Sequence, residues 1–191
     1  MKAKRPMWMD VGRKVWGTRE SIDARGLTNM AESPPQKIQT SDLAQLLAWY
    51  ERNLCACTLK DPRGHAVRFD AGRFAYMIKL RSKAGSKVKK PAKIAQQIKA
   101  GKLGNYDFGG FDPERAATLS WIPMVILRPT LIATNRNLLI PGDELYVKEL
   151  DKAGYRYKVL YCRRVSANLL VPVTSFPRSK IGSLAQGILW P

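Results

Sequence analysis

Apolar positions recur at helical spacing first at Leu43, Leu46, Leu47 and Tyr50, one face of a 3.6-residue repeat. Thr40, Ser41 or Asp42 supplies its cap, since a short polar side chain there satisfies the free amides of the first turn. The pattern fades near Asn53-Leu54. Asp61-Pro62-Arg63-Gly64 is a turn signal leading into a short strand-like stretch, residues 65–69. Asp70 caps a second short helix carrying Phe74, Met77 and Ile78. Residues 82–90 read as a polar loop, and Pro91 opens a helix with Ile94 and Ile98 on one face and Gly101 as its stop. Asp112-Pro113-Glu114 starts another, which breaks near Pro123 and ends before Pro129.

The last third alternates with a period of two. Residues 145–150 form a strand, and Asp151-Lys152-Ala153-Gly154 a turn. Over residues 155–165, Tyr155, Tyr157, Val159 and Tyr161 lie on one face, and Arg156, Lys158, Leu160, Cys162 and Arg164 on the other. A strand over residues 169–176 follows, where Pro172 argues for an edge or a bulge. The order predicts an α+β fold: N-terminal helices packed on a C-terminal antiparallel β-sheet, a three-stranded meander plus one or two short strands. Residues 1–39, with Trp8, Trp16 and the breaker cluster Glu32-Ser33-Pro34-Pro35, read as a basic arm. Residues 40–180 are a single α+β domain and 181–191 a tail.

Charge adds a partner. Thirty-three basic residues against fifteen acidic ones give a net charge of +18. Ten of the basic residues lie between Arg73 and Lys102, with no carboxylate between Asp70 and Asp107. A run this one-sided repels itself, and a polyanion offsets the repulsion. Nucleic acid is the leading partner, ahead of an anionic membrane or an acidic protein. Arg81, Lys83, Lys87, Lys89, Lys90 and Lys93 would grip phosphates. Arg156, Lys158 and Arg164 would face solvent or RNA if the tyrosine face packs on the helices; if that face is open, its tyrosines stack bases.

Cys55, Cys57 and Cys162 have no CxxC spacing, and His65 is the single histidine, so no zinc set, other metal site or cofactor is expected. With no apolar run of membrane-spanning length, the chain is expected to be soluble, cytoplasmic and free of membrane.

Three segments carry a resemblance: Phe74-Ala75-Tyr76-Met77-Ile78-Lys79-Leu80; Arg115 followed by Ile126-Leu127-Arg128-Pro129-Thr130-Leu131-Ile132; and Leu169-Leu170-Val171-Pro172-Val173-Thr174-Ser175-Phe176. Together they resemble the barnase–EndoU–colicin–RelE-like nuclease superfamily, in particular its phage and mobile-element branch. The resemblance implies helices on an antiparallel sheet whose concave face cuts RNA without a metal. It implies Arg115 as a phosphate clamp and Tyr76 where the family has a histidine. It also raises an acidic inhibitor protein as a partner.

Cleavage through the 2′-hydroxyl needs a base, an acid and cations around the phosphorane. Tyr76 and Lys79 share a helix face, Thr174 or Ser175 can donate at a strand end, and His65 supplies the single imidazole of the chain. Each has a plainer role: Tyr76 as a core or rim aromatic, Lys79 as a solvated charge, Arg115 paired with Asp112 or Glu114, Thr174 and Ser175 as ordinary strand-end residues, and His65 as a surface histidine. The resulting expectation is an RNA-binding, toxin-like ribonuclease; a non-enzymatic nucleic-acid-binding or structural phage protein is the alternative.

Overall fold

A computed structural model of the chain describes residues 34–135, 142–150, 154–181 and 185–191. Helix α1 (Leu43–Tyr50) starts where the pattern predicts, with the Asp42 carboxylate accepting from the Gln45 amide, and runs on into a π-turn over Glu51–Cys55. After it come strands β1 (Thr58–Lys60) and β2 (Ala66–Arg68), then a 3-10 turn capped by Asp70 and the single-turn helix α2 (Phe74–Met77). Helix α3 (Pro91–Lys99) opens on its proline. Helix α4 (Pro113–Ala117) is capped by Asp112 and continues through a 3-10 turn into α5 (Ile122–Leu127). Four more strands complete the fold before the C-terminal one: β3 (Leu131–Asn135), β4 (Glu144–Glu149), β5 (Tyr157–Ser166) and β6 (Leu169–Arg178) precede β7 (Ala185–Trp190).

The fold is α+β, but its sheet is larger than a three-stranded antiparallel meander. Seven strands pair in the order β1-β2-β6-β5-β4-β3-β7, and β2 runs parallel to β6, so the sheet is mixed. Nor do the helices simply precede the sheet: β1 and β2 lie between α1 and α2 in sequence. These two strands have three residues each, too short to show a period of two. The stretch assigned to a C-terminal tail supplies β7, which pairs with β3 along the opposite edge.

Both faces of the central strands are covered. Tyr146, Leu160, Cys162 and Leu170 pack with Leu46, Tyr50, Phe74, Ile78 and Ile126 in the helix-side core. Leu145, Val147, Tyr157 and Val159 join Leu131 and Ile181 in a second cluster. The expected facing of β5 is therefore reversed, with the Leu160 and Cys162 side against the helices. Double coverage removes the polar half of the alternation, and β4 is buried at every residue from Glu144 to Lys148.

Most of the proposed arm, residues 1–33, lies outside the described residues, as do Asp151–Ala153 of the expected turn. The arm's last residues dock on the body: Ile38 donates to the Ala117 carbonyl at 2.9 Å, and the Trp121 indole donates to the Pro35 carbonyl at 2.7 Å. Residues 82–90 are a tight turn, with Ser82 and Ser86 hydrogen-bonded and Arg81 bridged to Lys87, while Val88 is buried beneath them.

Candidate nucleic-acid interface

The position of the basic cleft follows from a mismatch of strand lengths. β2 pairs with β6 only at Leu169 and Leu170, so the rest of that edge of β6 has no strand beside it. The turn ending α2 approaches there: the Thr174 hydroxyl donates to the Tyr76 carbonyl at 3.3 Å. From the other side, α4 brings Arg115, whose Nη1 donates to the Thr174 hydroxyl at 3.1 Å and whose guanidinium lies 5.2 Å from the centre of the Phe176 ring. Arg178 stacks on the same ring at 5.1 Å.

An open cleft of about 600 Å³ lies alongside, lined by Lys79, Arg81, Gly85, Gly109, Gly110, Phe111, Asp112 and Pro113. Asp112 sits 3.5 Å from Arg115 Nε and 3.9 Å from Lys79 Nζ, and its other oxygen caps α4 by accepting from the Arg115 amide. One carboxylate thus faces several cations. Burial lowers the Arg115 pKa; Asp112 opposes this, and the nearby Arg178 and Arg81 add to it. Repulsion among cations this close is relieved by a polyanion.

Two backbone features shape the cleft. Gly109 admits no side chain, because a Cβ there would stand 2.3 Å from the Ser82 carbonyl oxygen. Lys79 ends α2 with φ +57°, a conformation that glycine adopts at less cost.

Tyr76, Lys79, Arg81, Arg115 and Thr174 therefore come together, with Tyr76 half-buried and joined through its carbonyl. Lys83, Lys87, Lys89, Lys90 and Lys93 are exposed on the adjoining turn and on the start of α3. Ser175 is not in this group. One residue beyond Thr174 it is fully buried, and its hydroxyl donates to the Val159 carbonyl at 2.9 Å.

His65 is not in it either. It precedes Ala66, which pairs with Leu169, five residues before Thr174 on β6; at strand rise that is roughly 17 Å. His65 belongs to a second, buried polar group. Its Nδ1 lies 3.5 Å from Asp61 Oδ2, and Asp61 also accepts from the Tyr146 hydroxyl and from Arg63 Nη2, each at 2.7 Å. Burial raises the Asp61 pKa, but these hydrogen bonds outweigh it and leave the pKa lowered. Asp61, His65 and Glu144 place ligand atoms within 4.8 Å of one another. The same Arg63 guanidinium nitrogen bridges Asp61 and Glu144, and Arg164 pairs with Glu144, so the carboxylates already have cationic partners.

Lys158 and Arg164 differ from the expectation that they face solvent or RNA, whereas Arg156, just before β5, is exposed. Lys158 is fully buried, with its ammonium donating to the Thr118 hydroxyl at 2.7 Å, and burial beside Arg115 holds its pKa well below the usual lysine value. It cannot touch a polyanion. Its four-carbon stem belongs to the core, which a simple polar label conceals. Arg164 is engaged with Glu144 and the Ala167 carbonyl, while Arg156 is exposed and pairs with Glu149 at 3.1 Å.

Arg178 and Phe176 were missing from the sequence-derived site. A signal for them exists in retrospect, since Thr174, Phe176 and Arg178 recur every second residue on one strand.

No family model, curated protein or solved structure matched the chain.

Proposed function

We propose that this protein binds RNA, and that the cleft between the end of α2 and the start of α4 is where it grips the phosphate backbone. One observation carries the reading: Lys79 and Arg115 share the Asp112 carboxylate, Arg81 lines the same cleft and Arg178 stands near Arg115, beside a turn bearing exposed lysines. Arg115 is held by Thr174 and Phe176, so its fork is pre-oriented for oxygen ligands and little side-chain freedom is lost on binding.

A second reading, metal-independent cleavage of the bound RNA in the manner of a phage or mobile-element toxin, has one specific support. Arg115, Thr174, Tyr76 and Lys79, each singled out by the nuclease resemblance or by its spacing, adjoin one another. In that chemistry a base takes the 2′-hydroxyl proton, the oxygen attacks the adjacent phosphorus to give a cyclic phosphate, the bond to the 5′-oxygen breaks as that oxygen is protonated, and Arg115 and Lys79 stabilise the charge gained by the phosphorane oxygens. Tyr76 is the candidate for proton transfer.

Incubation of RNA with the protein in EDTA decides between the two readings. Cleavage predicts cyclic-phosphate products that disappear with Tyr76→Phe and with Arg115→Ala. Intact RNA held in a salt-sensitive complex supports binding alone. Failure to bind RNA contradicts both.

A further inference from the structure

The loop from Gly104 to Gly110 displays Tyr106 and tucks Phe108 partly away. Leu103, Phe108 and Phe111 pack against the helix-side core, whereas Tyr106 is 95% exposed. Its backbone is held firmly. Asn105 accepts from the Leu43 amide and donates to the Ser41 carbonyl, each at 2.9 Å, so the N-terminus of α1 anchors the loop. Asp107 closes it by accepting from the Gly104 amide at 2.7 Å. At its far end the loop is zipped to the basic segment: Gly109 donates to the Arg81 carbonyl at 3.0 Å, and Arg81 donates to the Gly110 carbonyl at 2.9 Å. Tyr106 lies three residues before Gly109, which puts its backbone within about 11 Å of Gly109, and so within about 15 Å of Arg81, even for fully extended chain.

An exposed aromatic ring on a fixed backbone, joined to a cationic cleft, has the composition of a single-stranded nucleic-acid platform. The cations follow the backbone, and the ring accepts the face of an unpaired base. A duplex offers phosphates but keeps its bases stacked inside, so it gains nothing from the ring.

We infer that Tyr106 stacks on an unpaired base next to the Lys79–Arg81 cleft, and that the ligand class is single-stranded RNA rather than duplex. This rests on the RNA-binding reading and specifies its substrate. The fixed loop means that little ordering is needed when the base arrives.

The test measures equilibrium binding of a fluorescent single-stranded oligoribonucleotide and of its duplex to wild type, Tyr106→Ala, Tyr106→Phe and Lys79→Ala. With its side chain in solvent, Tyr106 is replaceable without loss of core packing. Tyr106→Ala is expected to weaken single-strand binding about tenfold and leave duplex binding unchanged, with Tyr106→Phe close to wild type. Lys79→Ala is expected to weaken both. Wild-type binding to the single strand that is unaffected by Tyr106→Ala overturns the stacking inference and leaves the RNA reading standing. If wild type binds neither oligonucleotide, the RNA reading falls and the inference with it.

Discussion

Lys79 occupies a backbone conformation that disfavours its own side chain. A non-glycine residue in the left-handed region costs roughly 1 kcal/mol, and glycine, the usual residue after a helix end, would avoid it. A lysine in that place puts a cation at the cleft wall at a cost in stability. Lys79→Gly is therefore expected to raise stability, by up to about 1 kcal/mol, and to weaken RNA binding. Thermal unfolding together with a binding titration checks this; a less stable variant with unchanged binding would contradict it. At this scale much was legible in the sequence. The caps Asp42, Asp70 and Asp112 are short polar side chains ahead of helical runs, and local hydrogen bonding decides them. Lys158 was not legible, because its burial depends on the turn after α4 bringing Thr118 to its ammonium.

The elements hold together through a buried ionic group as well as through apolar packing. Arg63, in the turn between β1 and β2, reaches across to Glu144 at the start of β4 and so ties the short hairpin to the central sheet. Asp61 and Glu144 are both almost wholly buried, and removing a partner leaves carboxylates in a poorly solvating place. Arg63→Ala is expected to destabilise the protein by about 3 kcal/mol in denaturant unfolding, and a loss under about 0.5 kcal/mol would show that the group does not anchor the hairpin. Sequence periodicity found α1, α3 and the strands β4, β5 and β6, because each is long enough to repeat a pattern. It read β2 as the strand-like stretch at residues 65–69, left β3 unassigned, and missed the two edge strands β1 and β7 for a physical reason. Short edge strands are specified by which longer strand they pair with, and that information is not local.

Taken whole, the molecule has a charge far from zero, and among the described residues no helix is long and apolar enough to cross a membrane. The charge run from Arg73 to Lys102 is the reason the sequence alone leads to the expectation of a polyanionic partner. It did not show that Arg115 and Arg178, from outside the run, stand beside its first part. Net charge by itself gives every basic protein some affinity for RNA, so what distinguishes the proposed binding is its place: the cleft, not the general surface, carries the contacts. The direct measurement is the salt dependence of single-stranded RNA binding for two triple variants of equal charge change. One removes Lys79, Arg81 and Arg178; the other removes the exposed Arg52, Lys60 and Arg68, which lie outside the cleft lining. About six phosphate contacts give the wild type a log–log slope near −4, at roughly 0.7 per phosphate on a single strand. The cleft variant is expected to flatten that slope by about 2 and the surface variant to leave it unchanged. Equal flattening in both would show that the cleft is not where RNA is held.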